Sequence, residues 1–282
     1  MNSRVSRRSV LLALGGASLL AACGQSTTAA WHAGGGLPGD SHPGDTGSAE
    51  PSPSGSAEPS PSDIPSVAPP APGQCPPIQG AGVPHHGGPQ YYLPCHGTEI
   101  ALTIDDGPDP KNTPRILGLL AKHNIQATFC MIGRAAAAHP DLVKQVVAGG
   151  HHVANHTYTH PLNLPKLTAA QIRDELSRAS DAISTASGGY HPTLFRAPGG
   201  AWNTTVLNEC SALSLRALDW SVDPRDWSRP GVKHIVDTIL TRTRPGAIIL
   251  EHDGGGNRDQ TVSALTIALP RLLDAGYTFA QP

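Results

Sequence analysis

From Glu99 to the C-terminus the chain alternates short apolar runs with longer amphipathic ones, and that alternation leaves few folds open. Strand-like pieces fall at 99–104, 126–132, 151–154, 193–196, 214–219, 246–251 and 277–280. Between them, residues 112–123, 140–149, 168–187, 203–212, 231–242 and 260–274 carry helical spacing. A strand–helix–strand order requires a crossover, so neighbouring strands run parallel with helices over the sheet. No Gly-rich dinucleotide loop is present, which disfavours a doubly wound sheet. The expected fold is α/β: a distorted, incomplete (β/α) barrel. Asn112 or Thr113 is placed to cap the first helix, with Pro114 in its first turn, and Thr168 caps the helix before the fourth strand.

The residues before this domain cannot share its core. Arg4, Arg7 and Arg8 make a basic start, Val10 to Ala22 is apolar or small, and Cys23 follows Leu20-Ala21-Ala22. That run is too short for an ordinary transmembrane helix, so residues 1–23 read as a targeting segment. Arg7-Arg8 before Ser9-Val10-Leu11-Leu12 resembles a twin-arginine export signal. Leu-Ala-Ala-Cys-Gly resembles the lipobox of bacterial lipoproteins, with Cys23 as the lipidated residue; a plain secretory peptide is the alternative. Residues 24–73 are dominated by Gly, Pro, Ser, Ala and Thr and repeat SAEPSPSG (Ser48–Gly55) as SAEPSPSD (Ser56–Asp63). This composition makes a solvated, disordered tether, and at about 3.1 Å per residue in polyproline form it reaches on the order of 100 Å.

Residues 74–98 read as an irregular lead-in and 99–282 as one domain. The expected protein is therefore an exported monomer, tied to the cell membrane by an N-terminal lipid anchor and facing the cell envelope. A net charge of −2 with no basic stripe argues against nucleic acid as a partner. Of five cysteines, Cys75, Cys95, Cys130 and Cys210 remain once Cys23 is assigned to lipid, and four allow three pairings. Cys75–Cys95 is the favoured bridge, because both lie in an irregular stretch that needs a staple. Cys130, inside Ala127–Ile132, reads as a small buried apolar residue. Whether Cys130 and Cys210 pair stays open, and none of the four has zinc-motif spacing.

The chemistry concentrates where apolar runs end. The first strand runs into Thr103-Ile104-Asp105-Asp106-Gly107-Pro108, so two carboxylates sit at its carboxyl end, where α/β folds gather ligands. Strand alternation places Asp105 and Asp106 on opposite sides, which allows them separate tasks. After the third strand comes Asn155-His156-Thr157-Tyr158-Thr159-His160. The i,i+4 spacing of His156 and His160 puts both rings on one face of a helical turn. Two His and one Asp with a position left for water match a catalytic zinc-type site rather than a closed structural one. His151 and His152 precede a strand and read as structural. Arg196, in Phe195-Arg196-Ala197-Pro198-Gly199-Gly200, leaves a strand into a turn, where its guanidinium can hold and orient Asp105. Three of the four tryptophans, Trp202, Trp220 and Trp227, fall in or beside the last motifs, and their flat faces suit the C–H faces of sugar rings.

Taken in order, TIDDGP, NHTYTH, FRAPGG, DWSVDPRDW and LEHD resemble the motifs of the NodB-type polysaccharide deacetylases, a family of metal-dependent carbohydrate esterases. The resemblance spans Glu99 to Phe279. It implies that Asp105 is the base and that Asp106, His156 and His160 bind a divalent metal, Zn2+ first, with Co2+, Ni2+ or Mn2+ as alternatives. It implies that Asp226 pairs with His252, the proton donor, and that Leu250 lines the acetyl pocket. The backbone N–H near Gly199 would donate to the oxyanion, although the family usually carries an aromatic there. Glu251 is a second departure and is expected to point away from the site. The implied activity is removal of acetyl groups from a polysaccharide, peptidoglycan or a chitin-like glycan first. An acetyl xylan esterase and a non-catalytic wall-binding pseudoenzyme are the alternatives.

Overall fold

The structure, a computed structural model, describes Ser60 and residues 64–67, 88–94 and 97–282. Cys23, Cys75 and Cys95 lie outside the described residues, as does almost all of the targeting segment and tether. Seven strands alternate with seven α-helices: β1 (Glu99–Asp105), α1 (Thr113–Lys122), β2 (Thr128–Met131), α2 (Gly133–Ala138), α3 (Pro140–Ala148), β3 (His152–Asn155), α4 (Ala169–Ser187), β4 (Leu194–Phe195), α5 (Thr204–Ala212), β5 (Arg216–Ala217), α6 (Val232–Arg242), β6 (Ile248–His252), α7 (Asp259–Asp274) and β7 (Thr278–Phe279). Every ladder is parallel, in the order β5-β4-β3-β2-β1-β6, with β7 beside the start of β1. Parallel order follows from the helix between successive strands. The expected barrel is present, and it is incomplete: among the described residues no ladder joins β5 to β6. Single bridges Gln90–Leu218, Tyr92–Ala247 and Val222–Ile249 stitch that side instead.

Two apolar layers hold the barrel. Outside it, Ile100, Leu102 and Ile104 of β1 pack against Ile116 and Leu120 of α1, Ile235 and Ile239 of α6, and Leu265 and Leu269 of α7, all essentially inaccessible. Each fully buried aliphatic side chain of this kind contributes about 1.5–3 kcal/mol. The inner layer is small: Ala101, Cys130 and Ala154 line it with Leu194, Leu218 and Ile248. Small residues are needed there because the lumen is filled by Arg196, the largest of the fully buried side chains. Among the described residues Cys130 is a free, buried thiol, as its apolar surroundings suggested, and Cys210 is also free.

Three local expectations need correction. Asn112 occupies the cap position of α1 without a capping side chain; Asp109 Oδ1 takes the N–H groups of Lys111 and Asn112 instead. Helix α2, Gly133-Arg134-Ala135-Ala136-Ala137-Ala138, has no apolar stripe and went unforeseen. Within the expected tether, Ile64 and Val67 pack against the outer core, so this short stretch of it is not free spacer. By contrast Thr168 caps α4 as expected, in a reciprocal box with Gln171, an arrangement worth about 1 kcal/mol.

Candidate active site

The strand ends meet at one rim. Asp105 is the last residue of β1 and stands in register with His252, the last of β6, and with Cys130 of β2. The strand stops there because Asp106 takes a left-handed backbone, with φ of 73°. Alternation therefore fails at this step, and the expectation of opposite sides is corrected: both carboxylates face the same site. The turn leaves no room for side chains. A Cβ on Gly107 would strike the Asp253 carboxylate, and one on Gly254 would overlap the Asp106 carbonyl. The loops after β1 and β6 are thus pressed together, and Asp253 N donates to Asp105 O at 3.0 Å.

His156 and His160 come together by a different route from the one expected. Residues 156–160 form no helical turn; Thr157 and His160 are left-handed, with φ of 63° and 62°. Glu175, buried on α4, grips this loop by accepting from Tyr158 N at 2.9 Å, Thr159 N at 2.7 Å and Thr159 Oγ1 at 2.7 Å. The two imidazole centroids end 4.9 Å apart. Asp106 Oδ1 lies 3.4 Å from His156 Nε2 and 3.1 Å from His160 Nε2, and this triad could hold a metal ion.

Three observations fit a divalent cation at that point. Asp106 Oδ1 is buried and accepts no well-formed hydrogen bond. His156 Nδ1 lies 2.8 Å from the Arg196 carbonyl, which fixes Nδ1 as the N–H and turns the Nε2 lone pair to the site. Burial alone would raise Asp106, yet His156 and His160 beside it hold the carboxyl well below the usual range, so it offers an anionic oxygen to a cation.

Arg196 enters from β4 and crosses the lumen. Its Nη1 donates to Asp105 Oδ1 at 2.7 Å and to Thr103 Oγ1 at 2.8 Å, and its Nη2 to the Asp219 carbonyl at 2.9 Å. Asp105 Oδ2 lies 3.8 Å from His156 Nε2, on the side of the triad. Asp219 had no role in the sequence reading. Its side chain accepts from Trp202 Nε1 at 2.8 Å, which makes Trp202 a brace rather than a sugar platform. Trp220 lies 5.6 Å from the Arg196 guanidinium and closes over Gly200, so it belongs to the barrel.

Across the β1–β6 ladder from Asp105 stands the second charged pair. Asp226 Oδ1 accepts from His252 Nδ1 at 2.7 Å, and its Oδ2 from His252 N at 3.0 Å and Thr261 Oγ1 at 2.7 Å. Burial would lower the His252 imidazole, but Asp226 outweighs it and raises it to about 9. His252 is therefore an imidazolium at neutral pH, with Nε2–H available to a leaving atom. Thr261 on α7 carried no signal in the sequence.

Of the residues expected at the substrate, Leu250 is placed by its register and Gly199 and Trp227 by their exposure and neighbours. Leu250 is in register with Thr103, on the face that carries Asp105 and His252. Gly199 has a φ of 61°, and a Cβ there would meet only Leu162. Trp227 is 46% exposed, with the Arg225 guanidinium 5.0 Å over its ring, and so remains available as a platform. His151 accepts from Ala127 N at 3.2 Å and stacks edge-on against Phe129, in keeping with a structural role.

One rim of the curled parallel sheet thus gathers a His–His–Asp triad that could hold a metal, an Arg-held carboxylate and an Asp–His pair, an arrangement suited to metal-assisted hydrolysis. A profile of the polysaccharide deacetylase family matches residues 94–218. The chitooligosaccharide deacetylase of Bradyrhizobium sp. is 45% identical over 189 residues, 63% of this chain and 86% of that one. The peptidoglycan-N-acetylglucosamine deacetylase of Bacillus cereus is 41% identical over 196 residues, 67% of this chain and 88% of that one. Among solved structures, a CE4-family pseudoenzyme from Bacillus anthracis aligns with a TM-score of 0.64 at 29% identity, covering 69% of this chain and 67% of that one. The chain belongs to the polysaccharide deacetylase family.

Proposed function

We propose that this protein hydrolyses the acetamide of N-acetylglucosamine units in a cell-wall glycan, peptidoglycan before chitin-like chains. The observation that carries this reading is an Arg-held carboxylate, Asp105, in register with an Asp-paired imidazole, His252, beside a triad that could hold a metal. A divalent cation held by Asp106, His156 and His160, zinc by the choice of ligands, would polarise the acetyl carbonyl and acidify a water. Asp105 takes the proton of the attacking water, steadied by Arg196. The Gly199 N–H donates to the tetrahedral oxyanion, and Leu250 receives the methyl group. His252 then gives its proton to the leaving nitrogen and acetate departs.

Acetate release by the zinc-loaded protein from peptidoglycan, chitooligosaccharide and acetylated xylan tests the reading. Release from the first two is expected. Release from xylan alone would make it an esterase, and none from any, with metal bound, would leave a wall-binding pseudoenzyme.

Asp226→Asn probes the proton donor. The variant removes the charge that raises His252 and keeps the burial that lowers it, so the alkaline limb of the kcat profile should move down from about 9. A limb that stays put while activity falls would disprove the pairing.

The location of the glycan follows from the N-terminus. Lipidation at Cys23 would hold the protein in the cell membrane, facing the envelope, and the Pro-rich tether would let a monomer work on the wall. Cys23→Ala should shift it from the membrane fraction to the soluble one; unchanged fractionation would count against the anchor.

A further inference from the structure

Glu251 faces out of the barrel, opposite Ile104 in the ladder, as expected of a residue between Leu250 and His252. It does not reach solvent: its exposure is 0%, and neither carboxyl oxygen has a hydrogen-bond donor among the described residues. Its charged surroundings are Asp226 and Asp223 on the segment before α6 and Arg258 before α7. Arg258 is engaged elsewhere, with Nε on the Gly254 carbonyl at 2.7 Å and Nη1 on that of Trp227 at 3.3 Å. Asp226 is near enough to share a hydrogen bond with Glu251. Two ionised carboxylates cannot do so, since both only accept. Asp226 also accepts from the backbone N–H of His252, the residue after Glu251, at 3.0 Å, and a hydrogen bond between the two carboxyls requires a proton on one of them. Asp226 already receives three hydrogen bonds, from His252 Nδ1, His252 N and Thr261 Oγ1, whereas Glu251 receives none.

We propose that Glu251 is a neutral carboxylic acid whose O–H donates to Asp226, and that through Asp226 it acts as a positioning residue for His252. This rests on the reading of His252 as proton donor. Burial, with Asp226 beside it, pushes the Glu251 carboxyl well above the usual range, which agrees with the geometry. An added donor withdraws charge from the Asp226 carboxylate, so Asp226 pulls less strongly on the imidazolium. His252 also faces Asp105 and Asp106, and an ionised Glu251 would add one more charge holding its proton in place. A general acid that grips its proton too tightly transfers it poorly.

Glu251→Gln and Glu251→Leu separate the possibilities in the zinc-loaded protein. The amide of Gln can donate to Asp226 as the acid does, while Leu fills the space without donating. The readouts are the His252 imidazole titration by NMR, the alkaline limb of acetate release, and the infrared carbonyl band of a protonated carboxyl. The wild type should show that band at neutral pH, and Glu251→Gln should remove it. Gln should leave the His252 titration within about 0.3 pH unit, and Leu should raise it by about half a unit or more. A downward shift in the Gln variant would mean that Glu251 is ionised and would overturn the proposal, as would a Leu variant with an unmoved titration. If the NMR titration shifts as expected while no glycan yields acetate, the positioning stands and the deacetylase reading falls.

Discussion

Asp105→Asn is expected to retain its metal and to lose about 10² to 10⁴ in turnover, the usual worth of a positioned general base. The two halves of that result come from different contacts. The triad that could hold a metal consists of Asp106, His156 and His160, and Asp105 is not part of it. Its Oδ1 is taken by Arg196 Nη1 at 2.7 Å, which leaves Oδ2 for the water. Asn has the same shape and can still accept from Arg196, but it cannot take a proton. Asp106→Ala should give the converse, with bound metal falling sharply and activity falling with it, because only the two imidazoles of the triad would remain. Elemental analysis beside acetate release reads both variants. The assignment would be reversed by an Asp105→Asn protein empty of metal and an Asp106→Ala protein full of it.

Arg196→Met is expected to cost about 3–5 kcal/mol of stability, the usual penalty for removing one partner of a buried ion pair. Arg196 is 0% exposed and Asp105 3%. Without the guanidinium, Asp105 stays buried without its counter-charge, and Thr103 Oγ1 and the Asp219 carbonyl each lose a donor. Urea denaturation measures the loss. The double variant Arg196→Met with Asp105→Leu, which removes both charges, should recover much of it, because the penalty comes from the stranded carboxylate rather than from a missing attraction. A single variant within about 1 kcal/mol of wild type would show that water or a relaxed lumen already solvates Asp105.

Much of this was legible in the chain because the strand–helix period is coarse and repeated. Three of the misses have local physical causes. Helix α2 lacks an apolar stripe, so only the helix propensity of its alanines marks it, and a run of four alanines is weak evidence. The apolar runs at 193–196 and 214–219 pair only over two residues each, since the chain beyond Ala217 leaves β4 for Gln90 and then β6. At the site, the pairing of His156 with His160 was read from helical spacing, whereas a loop clamped by Glu175 delivers it. Asp106 shows the limit of alternation: a rule about strands ends where the strand does. Glu175, Thr261 and Asp219 bind through contacts made across long stretches of sequence, and no pattern near them announces that.

The seam between β5 and β6 bears on how the protein fails. Opening is easiest where isolated bridges replace ladders, and Asp226 lies just past Val222, one of those bridges. Asp106, His156 and the His160 loop hang instead from β1 and β3, joined through β2 by continuous ladders. Local loosening at the seam would strip His252 of its carboxylate while the ligands stay assembled. The two halves of the site would then have separate lifetimes, and in an ageing sample the metal content would exceed the number of molecules competent to turn over.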